Sequence, residues 1–469
     1  MGIVLYNTLT RSKEALRPIE AGKVGLYTCG PTVYNYQHIG NYRTYVFEDC
    51  LRRALEYLGY SVRHVMNITD VGHLTSQADE GEDKVELAAA KQGKTAWEIA
   101  EFYTQAFLED AREFNLLPAH VLCKATGHVP DQINLIRRLE EGGLTYGISD
   151  GIYFDASRFA DYGRLMGPAY REGLCSGARV EANPEKRNPV DFALWKFSPK
   201  DQKRHMEWPS PWGVGFPGWH IECSAMAMRY LGESFDIHCG GVDHIPIHHT
   251  NEIAQSEGAT GRPFVKIWMH GEFLLMNNAK MAKSAGHFLG LRDLRDNGFT
   301  PLDYRYLCMT AHYRRQFDFS WEALDGAKSA LRRLRERSKA ALGGRQAQAA
   351  DGRLEEYRER FKARIRDDLD MPGALAVLWD SLKPGVLSPG AQRTWLEEVD
   401  GVLGLGFFKT RAQEPLSPEL QSLVNRREEA RRSKDFAQAD ALRRELLEKG
   451  ISVEDTPQGP RWRRGTTQE

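Results

Sequence analysis

The stretch from residue 20 to 70 constrains the fold more than any other. "KVGLYTC" (Lys23 to Cys29) is β-rich, and "GPTVYNYQHIGNYR" is punctuated as a loop by glycine and proline. "YVFEDCLRRALEYLGY" then places Val46, Cys50, Leu51, Leu55 and Leu58 on one helical face before Gly59 ends it. "SVRHVMNITD" reads as a second strand. A strand–helix–strand unit of this length implies a parallel pair with a right-handed crossover, so the chain is expected to be α/β.

Further helices are expected from about Thr95 to Leu116 and from Asp131 to Glu141. Residues 143–215, with short strands such as "GIYFD" among many Gly, Pro and Trp, read as an irregular insertion between two halves of a sheet domain. Alternation of helix and strand resumes with "IECSAMAMRYLG", "FDIHCGG", "NEIAQSEGATG" and "FVKIWMHGEFLL". From about 320 the sequence is helical and rich in Arg and Lys, and "AQEPLSPE" marks a linker before a last piece. No internal repeat at fixed period is found.

At 469 residues, two to four domains are expected. The balance of 41% hydrophobic and 27% charged residues is that of a soluble globular protein. A net charge of −1 gives no whole-chain pull toward nucleic acid or membrane, so an anionic partner must be held by local basic patches. No apolar run reaches the roughly 20 residues that span a bilayer, and the first residues lack the features of a signal peptide. Seven scattered cysteines point to a reducing, cytoplasmic setting and away from a disulfide framework.

"HIPIHHTNE" (His244 to Glu252) raises the question of a metal. On a helix His248 and Glu252, four apart, share a face that excludes His249. Zinc takes about four ligands from Cys, His and acids. Cys29, at a strand end, and Cys223, at the start of a helix, are the best thiolate candidates. From spacing alone, a polar turn rich in histidine is the more ordinary reading. In "HIGN", Gly40 lets the backbone approach a ligand, and the helix behind it offers free amides to a phosphate, with His38 as a further donor. An ordinary helix cap explains the same four residues. "LLMNNAKMAKSAGH" sets Lys280 and Lys283 in a run of small residues after a strand, as in a mobile phosphate clamp or a solvated loop.

Together, "HIGN" and "KMAKS" resemble the two signatures of class I aminoacyl-tRNA synthetases. "LYTCGPTVYNYQHIGN", "NITDV", "PGWHIECSAM", "FDIHCGGVDHIPIHHTNEIAQSE" and the tail "ARRSKDFAQADALRRELLEKGISVEDTPQGPRW" are similar to the cysteinyl-tRNA synthetase family, from about residue 2 to 464. The resemblance implies a Rossmann-type catalytic domain in two halves (1–125 and 206–300) split by an insertion (126–205). A linking segment (301–325), an α-helical bundle (326–405) and a small anticodon-binding domain (406–469) follow. It implies one zinc ion per subunit on Cys29, Cys223, His248 and Glu252, and magnesium with ATP. ATP is implied to meet His38, Gly40, Asn41, Gly240, Gly241, Asp243, Lys280 and Lys283, with His38, Asn41, Lys280 and Lys283 in the catalytic role. The substrate pocket falls on Thr69, Trp219 and His238, and the anticodon face on Arg426, Asp455 and Trp462. The implied reaction is activation of L-cysteine with ATP to cysteinyl-adenylate and transfer to the terminal adenosine of tRNA(Cys), by a monomer away from membranes.

The sequence departs from the family pattern in places. Asn41 stands for a second histidine, Ala282 for the serine of "KMSKS", and Pro460 for a commoner threonine, while "DVGHLTSQADEGEDK" leaves the roles of Asp70 and His73 open. Two alternatives are a ligase that passes activated cysteine to an amino sugar, as in mycothiol biosynthesis, and a non-catalytic paralogue. The tail residues Arg426, Arg431, Lys434, Asp455 and Trp462 favour tRNA over the first. The intact lysines and metal quartet count against the second.

Overall fold

The computed structural model describes residues 2–71, 74, 83–167, 183–199, 204–276, 279–280, 288–342, 352–407, 418–433, 435–456 and 459–464. The chain divides into two compact units, Met1–Phe408 and Lys409–Glu469.

The first unit begins with a hairpin, β1 (Val4–Asn7) and β2 (Ser12–Ala15). Then follow β3 (Lys23–Thr28), α1 (Ile39–Tyr57), β4 (Ser61–Ile68), α2 (Lys84–Gln92), α3 (Ala96–Glu113) and β5 (Val121–Lys124). The helix α1 starts six residues before the amphipathic stretch that announced it. His38 is its N-cap, so the tetrapeptide expected as loop is the helix's first turn. Gly59, at φ 93°, ends the helix in a conformation that suits glycine.

Next come α4 (Val129–Glu141), β6 (Thr145–Ile148), β7 (Gly151–Phe154), β8 (Phe192–Phe197) and β9 (Gly215–Pro217). These strands form a four-stranded antiparallel sheet in the order β6-β7-β8-β9. The stretch that the sequence left as irregular therefore has its own apolar core, with Phe154, Phe192, Leu194 and Trp195 packed against Leu135 and Leu139 of α4.

The main sheet resumes with α5 (Trp219–Leu231), β10 (Phe235–Gly241), α6 (His248–Thr260) and β11 (Val265–Gly271). Its strand order is β11-β10-β3-β4-β5 and every pairing is parallel. Short strands β12 (Leu274–Met276), β13 (Ala279–Lys280) and β14 (Phe317–Phe319) make a third small sheet, with α7 (Leu291–Asp296) and α8 (Pro301–Met309) between the last two. Helices α9 (Trp321–Leu342), α10 (Gly352–Arg366), α11 (Met371–Ser381) and α12 (Pro389–Leu403) complete the unit.

α1 is anchored by a buried charge cluster. Asp49 accepts from Arg53 Nε at 2.6 Å and from Arg305 Nη2 at 2.5 Å. Arg305, fully buried, also donates to the Leu403 carbonyl at 2.7 Å and Arg53 to the Gly401 carbonyl at 3.0 Å, which ties the end of α12 to the helix behind "HIGN". Burial opposes charge on Asp49, yet Arg305 and Arg53 hold its carboxyl below the usual range.

The second unit holds α13 (Pro418–Arg432), α14 (Phe436–Glu448) and an antiparallel hairpin, β15 (Ile451–Thr456) with β16 (Gly459–Arg464). Leu423, Val424, Leu442, Leu446, Ile451 and Val453 form its core. Among the described residues no helix is long and apolar enough to cross a membrane, and the six cysteines described are free.

Candidate active site and metal centre

Strand order reverses between β3 and β10. From β3 the chain steps to β4 and β5, and from β10 it steps the other way to β11. At such a switch point the loops diverge and open a crevice at the carboxyl edge of the sheet. Cys29 lies one residue beyond β3, with its N–H bonded to the Cys239 carbonyl of β10 at 3.1 Å.

Four donors meet there. Cys29 Sγ, Cys223 Sγ from the second turn of α5, a ring nitrogen of His248 and a carboxylate oxygen of Glu252 from α6 all lie within 4.8 Å of one another, and all four residues are buried. A tetrahedral zinc with bonds of about 2.3 Å to sulfur and about 2.0–2.2 Å to nitrogen and oxygen needs donors a few ångströms apart, so the quartet has a fitting size. His248 Nε2 stands 3.0 Å from Glu252 Oε1, yet that oxygen makes no hydrogen bond among the described residues. The two atoms converge on one point beside the sulfurs, where a bound cation would displace the proton that His248 carries in its absence. The other ring nitrogen of His248 is 2.9 Å from His220 Nδ1, which orients the imidazole as outer partners orient a metal-bound histidine.

His249, which helical spacing set apart from that face, enters the cluster from the side. Its Nε2 is 3.2 Å from Cys29 Sγ, and its Nδ1 is 2.8 Å from His270 Nε2. A second buried set, Cys29, His238, His249 and Glu252, is equally compact. In it, however, His238 Nε2 is hydrogen-bonded to Glu252 Oε2 at 3.0 Å, the role of a partner to the carboxylate.

The electrostatics fit a cation-binding site. The hydrogen bond from Cys29 pulls the Cys223 thiol down to about 6 against the effect of burial. Burial would raise the Glu252 carboxyl, but His238 and His248 bring it down to about 2. Burial would lower His248, but Glu252 and Cys223 carry it up to about 10. Burial and the neighbouring Cys223 hold the Cys29 thiol well above the usual range, so without a cation the two cysteines carry one negative charge, on Cys223, beside the Glu252 carboxylate.

Trp219 opens α5 and stacks on His248, with ring centroids 4.4 Å apart. Thr69 is buried just past β4, its hydroxyl accepting from Asn67 Nδ2 at 3.0 Å. His238 is fully buried and stacks on Trp268 at 4.7 Å. At the mouth of α1, His38 Nδ1 accepts from the Asn41 N–H and Asn41 Oδ1 accepts from the His38 N–H, both at 3.2 Å. A side chain at Gly40 would press on the His38 ring at 3.0 Å. Gly240 is covered by the rings of His244 and His249, which a Cβ would meet at 2.6 and 2.7 Å. Asp243 is exposed and its carboxylate folds toward Gly241.

Lys280 ends β13. Lys283, Ala282 and His73 lie outside the described residues. Asp70 is buried, accepting from the Thr126 N–H at 2.9 Å and hydroxyl at 2.6 Å, which gives it a structural partner. In the second unit Arg426 is an exposed residue of α13, while Asp455 in β15 and Pro460 in β16 face each other in register and Trp462 sits opposite Val453.

Sequence reasoning missed His220 and His270, the outer partners of the two α6 histidines, and Glu222, fully buried beside Cys223. Burial, reinforced by the Cys223 charge, holds the Glu222 carboxyl well above the usual range. The signal for the first was present in "WHIEC", where His220 precedes Cys223 by three residues, nearly one helical turn.

Comparison with known proteins bears directly on this site. The model of the tRNA synthetases class I (C) catalytic domain matches residues 15–329, and that of the cysteinyl-tRNA ligase anticodon binding domain matches residues 413–463. Cysteine–tRNA ligase 1 of Burkholderia lata is 51% identical over 463 residues, covering 98% of this chain and 97% of the relative. The cysteine–tRNA ligase of Treponema denticola is 44% identical over 496 residues, covering 99% and 100%. The fold is that of Mycobacterium tuberculosis methionyl-tRNA synthetase in complex with methionyl-adenylate, with a TM-score of 0.56 and 16% identity over 82% of this chain and 90% of the other. It is shared with the Agrobacterium radiobacter K84 LeuRS–tRNA–LeuAMS complex, with a TM-score of 0.57 and 12% identity over 83% and 84%. The parallel sheet with its switch-point crevice, the two domain matches and identity sustained from end to end place this chain in the cysteine–tRNA ligase family of class I aminoacyl-tRNA synthetases, which are ATP-dependent ligases.

Proposed function

We propose that the chain activates L-cysteine with ATP, forms cysteinyl-adenylate and pyrophosphate, and transfers the aminoacyl group to the terminal adenosine of tRNA(Cys), in the cytoplasm and as a monomer. The observation that carries the choice of amino acid is the buried Cys29, Cys223, His248 and Glu252 quartet at the switch point. These four residues would hold one zinc ion. Bound there, zinc supplies a thiophilic centre, strong for a thiolate and weak for the hydroxyl of serine, which a purely apolar pocket separates from cysteine by only a few kcal/mol.

The chain's own residues provide the rest. Trp219, stacked on His248, walls the amino-acid pocket, with Thr69 and His238 on its polar side. The carboxylate of cysteine attacks the α-phosphate of ATP in line, and pyrophosphate leaves. The Ile39 N–H is bonded to the Leu289 carbonyl and the Asn41 N–H to His38, so His38, Lys280, Lys283 and magnesium brought with ATP, rather than the first amides of α1, face the charge that develops. Asn41 holds the cap from which His38 projects. Gly240, Gly241 and Asp243 form the ribose side. The terminal ribose hydroxyl of tRNA then attacks the activated carbonyl, the acyl–phosphate bond breaks and AMP leaves, so no protein nucleophile is needed. In this reading 1–125 and 206–300 are the catalytic halves, 126–205 the insertion, 301–325 the link, 326–405 the bundle and 406–469 the anticodon reader through Arg426, Asp455 and Trp462.

Cysteine-dependent pyrophosphate exchange and tRNA charging, each with and without a zinc chelator, test the proposal. Both activities are expected, and both fall on chelation. Coupling of cysteine to an amino sugar without tRNA charging would replace it by the sugar-amine reading.

A further inference from the structure

Single exposed aromatics are ordinary, but a cluster of them is more informative, and one stands just before α1. Tyr36, two residues before His38, is 60% exposed, and Phe102 of α3 is 44% exposed. Their rings meet edge to face at 6.1 Å. Tyr103, largely buried, meets Tyr36 at 5.2 Å and 90° and Phe102 at 5.1 Å and 84°. Two near-perpendicular contacts brace the Tyr36 ring while more than half of its surface stays open to solvent, which suits a stacking platform.

The charges around it are uneven. Lys94 Nζ lies 5.0 Å from the Phe102 ring centroid, and Lys91, at the end of α2, is exposed. The nearby acids are engaged: Glu98 accepts from the Thr95 N–H and hydroxyl, and Glu101 pairs with Lys124 at 2.5 Å. A flat aromatic face flanked by ammonium groups fits unpaired nucleotides, whose bases stack and whose phosphates need cations.

We propose that Tyr36 stacks an unpaired base of the tRNA 3′ end as its terminal adenosine enters the site, with Lys94 and Lys91 meeting the adjoining phosphates. The inference rests on the charging reaction above and adds a binding surface to it. Position supports it: the 3′ nucleotides must reach the carboxyl edge of the sheet, and Tyr36 belongs to the loop that leaves β3 at that edge, two residues before the N-cap of α1.

The test uses the full chain and two tRNA(Cys) transcripts, one complete and one lacking its unpaired 3′ nucleotides. Tyr36→Ala is expected to weaken binding of the complete transcript at least fivefold, the low end of what one stacked base contributes. It should leave binding of the shortened transcript unchanged. Tyr36→Trp should bind the complete transcript as well as the native chain, and Lys94→Ala should lose affinity in the same transcript-dependent way. Equal loss for both transcripts, or none for either, overturns the proposal. Cysteine-dependent pyrophosphate exchange, which needs no tRNA, reports on the fold of each variant. A native chain that exchanges pyrophosphate but charges no tRNA would overturn the proposed function itself, a failure visible before any variant is made.

Discussion

His38 and Asn41 cap each other: each accepts, through a side-chain atom, the backbone N–H of the other at 3.2 Å. The residue standing where the family has a second histidine is therefore built into the helix start, and His38 is held with Nδ1 as acceptor. Its Nε2 then carries the proton, the form that can donate to a phosphate.

This arrangement predicts that Asn41→Ala costs about 1 kcal/mol of stability, the usual value of a lost helix cap, and also slows pyrophosphate exchange. Asn41→Asp keeps an acceptor for the His38 N–H but sets a negative charge beside the triphosphate. It should melt like the native protein and still exchange slowly. Thermal melts and exchange rates separate the two effects, and an Asn41→Ala protein with unchanged melting would show that the cap contributes nothing.

Metal content distinguishes the two compact donor sets. Cys223→Ser and His248→Ala should purify with little zinc and little cysteine activation, because each removes a direct ligand. His249→Ala should keep the ion with affinity weakened roughly 10- to 100-fold, the scale of a lost outer partner. Elemental analysis and chelator competition read this out. Zinc-free native protein with full activity would refute the assignment, and loss of the ion in His249→Ala with retention in His248→Ala would reverse the two histidines.

How much of this was legible in the sequence depends on the range of the interaction. His248 and Glu252 were readable because one helical turn fixes their relation whatever the tertiary fold. Cys29 and Cys223 were readable only as a strand end and a helix start, since their meeting is decided by strand order. His249 escaped because helical phase says where a side chain leaves the helix, not how far a buried ring reaches across to Cys29. The first turn of α1 reads as loop in the sequence because Gly40 and Asn41 are poor helix formers, and the reciprocal cap that stabilises them pairs residues of unusual type. The antiparallel sheet of the insertion was hidden because its strands are only three to six residues long, too short for periodicity to show.

A buried histidine away from the site sets an acid limit on stability. Burial, helped by Arg52, holds His64 down to about 3, with its Nε2 at 2.9 Å from the Thr28 hydroxyl. The unfolded chain binds a proton at this residue below about 6.5 and the folded chain does not until about 3, so stability is full above 6.5 and falls with pH through that window. By pH 5 the loss from this group is about 2 kcal/mol. His64→Gln should flatten the decline in melting temperature between pH 7 and 5. An unchanged slope would mean that His64 is charged in the folded protein or that other groups carry the decline.

Lys283→Ala is expected to slow adenylate formation by roughly two to three powers of ten, the scale of losing one donor to transition-state charge. Cysteine affinity should change far less, since the residue is assigned to phosphate and not to the thiol. Burst measurements of pyrophosphate release against cysteine titration give both quantities. Parallel losses would remove Lys283 from the phosphate side.

The two compact units make a last prediction. The second unit has its own apolar core, in which Leu423 and Val424 of α13 meet Leu442 and Leu446 of α14 and the β15 residues Ile451 and Val453. The first unit contains the complete sheet and the metal quartet. Truncation before Pro415 should therefore leave cysteine-dependent pyrophosphate exchange nearly intact. Charging requires the correct tRNA to be held long enough for its 3′ end to react, and the proposed anticodon contacts lie in the part removed. A loss of at least tenfold in charging kcat/KM is expected, about 1.4 kcal/mol of transition-state binding. Stacking of unpaired bases on aromatic rings with hydrogen bonds to their edges predicts that Trp462→Ala and Asp455→Ala each reproduce part of that loss in the full-length chain. Charging that survives truncation undiminished would mean that the terminal unit does not read tRNA.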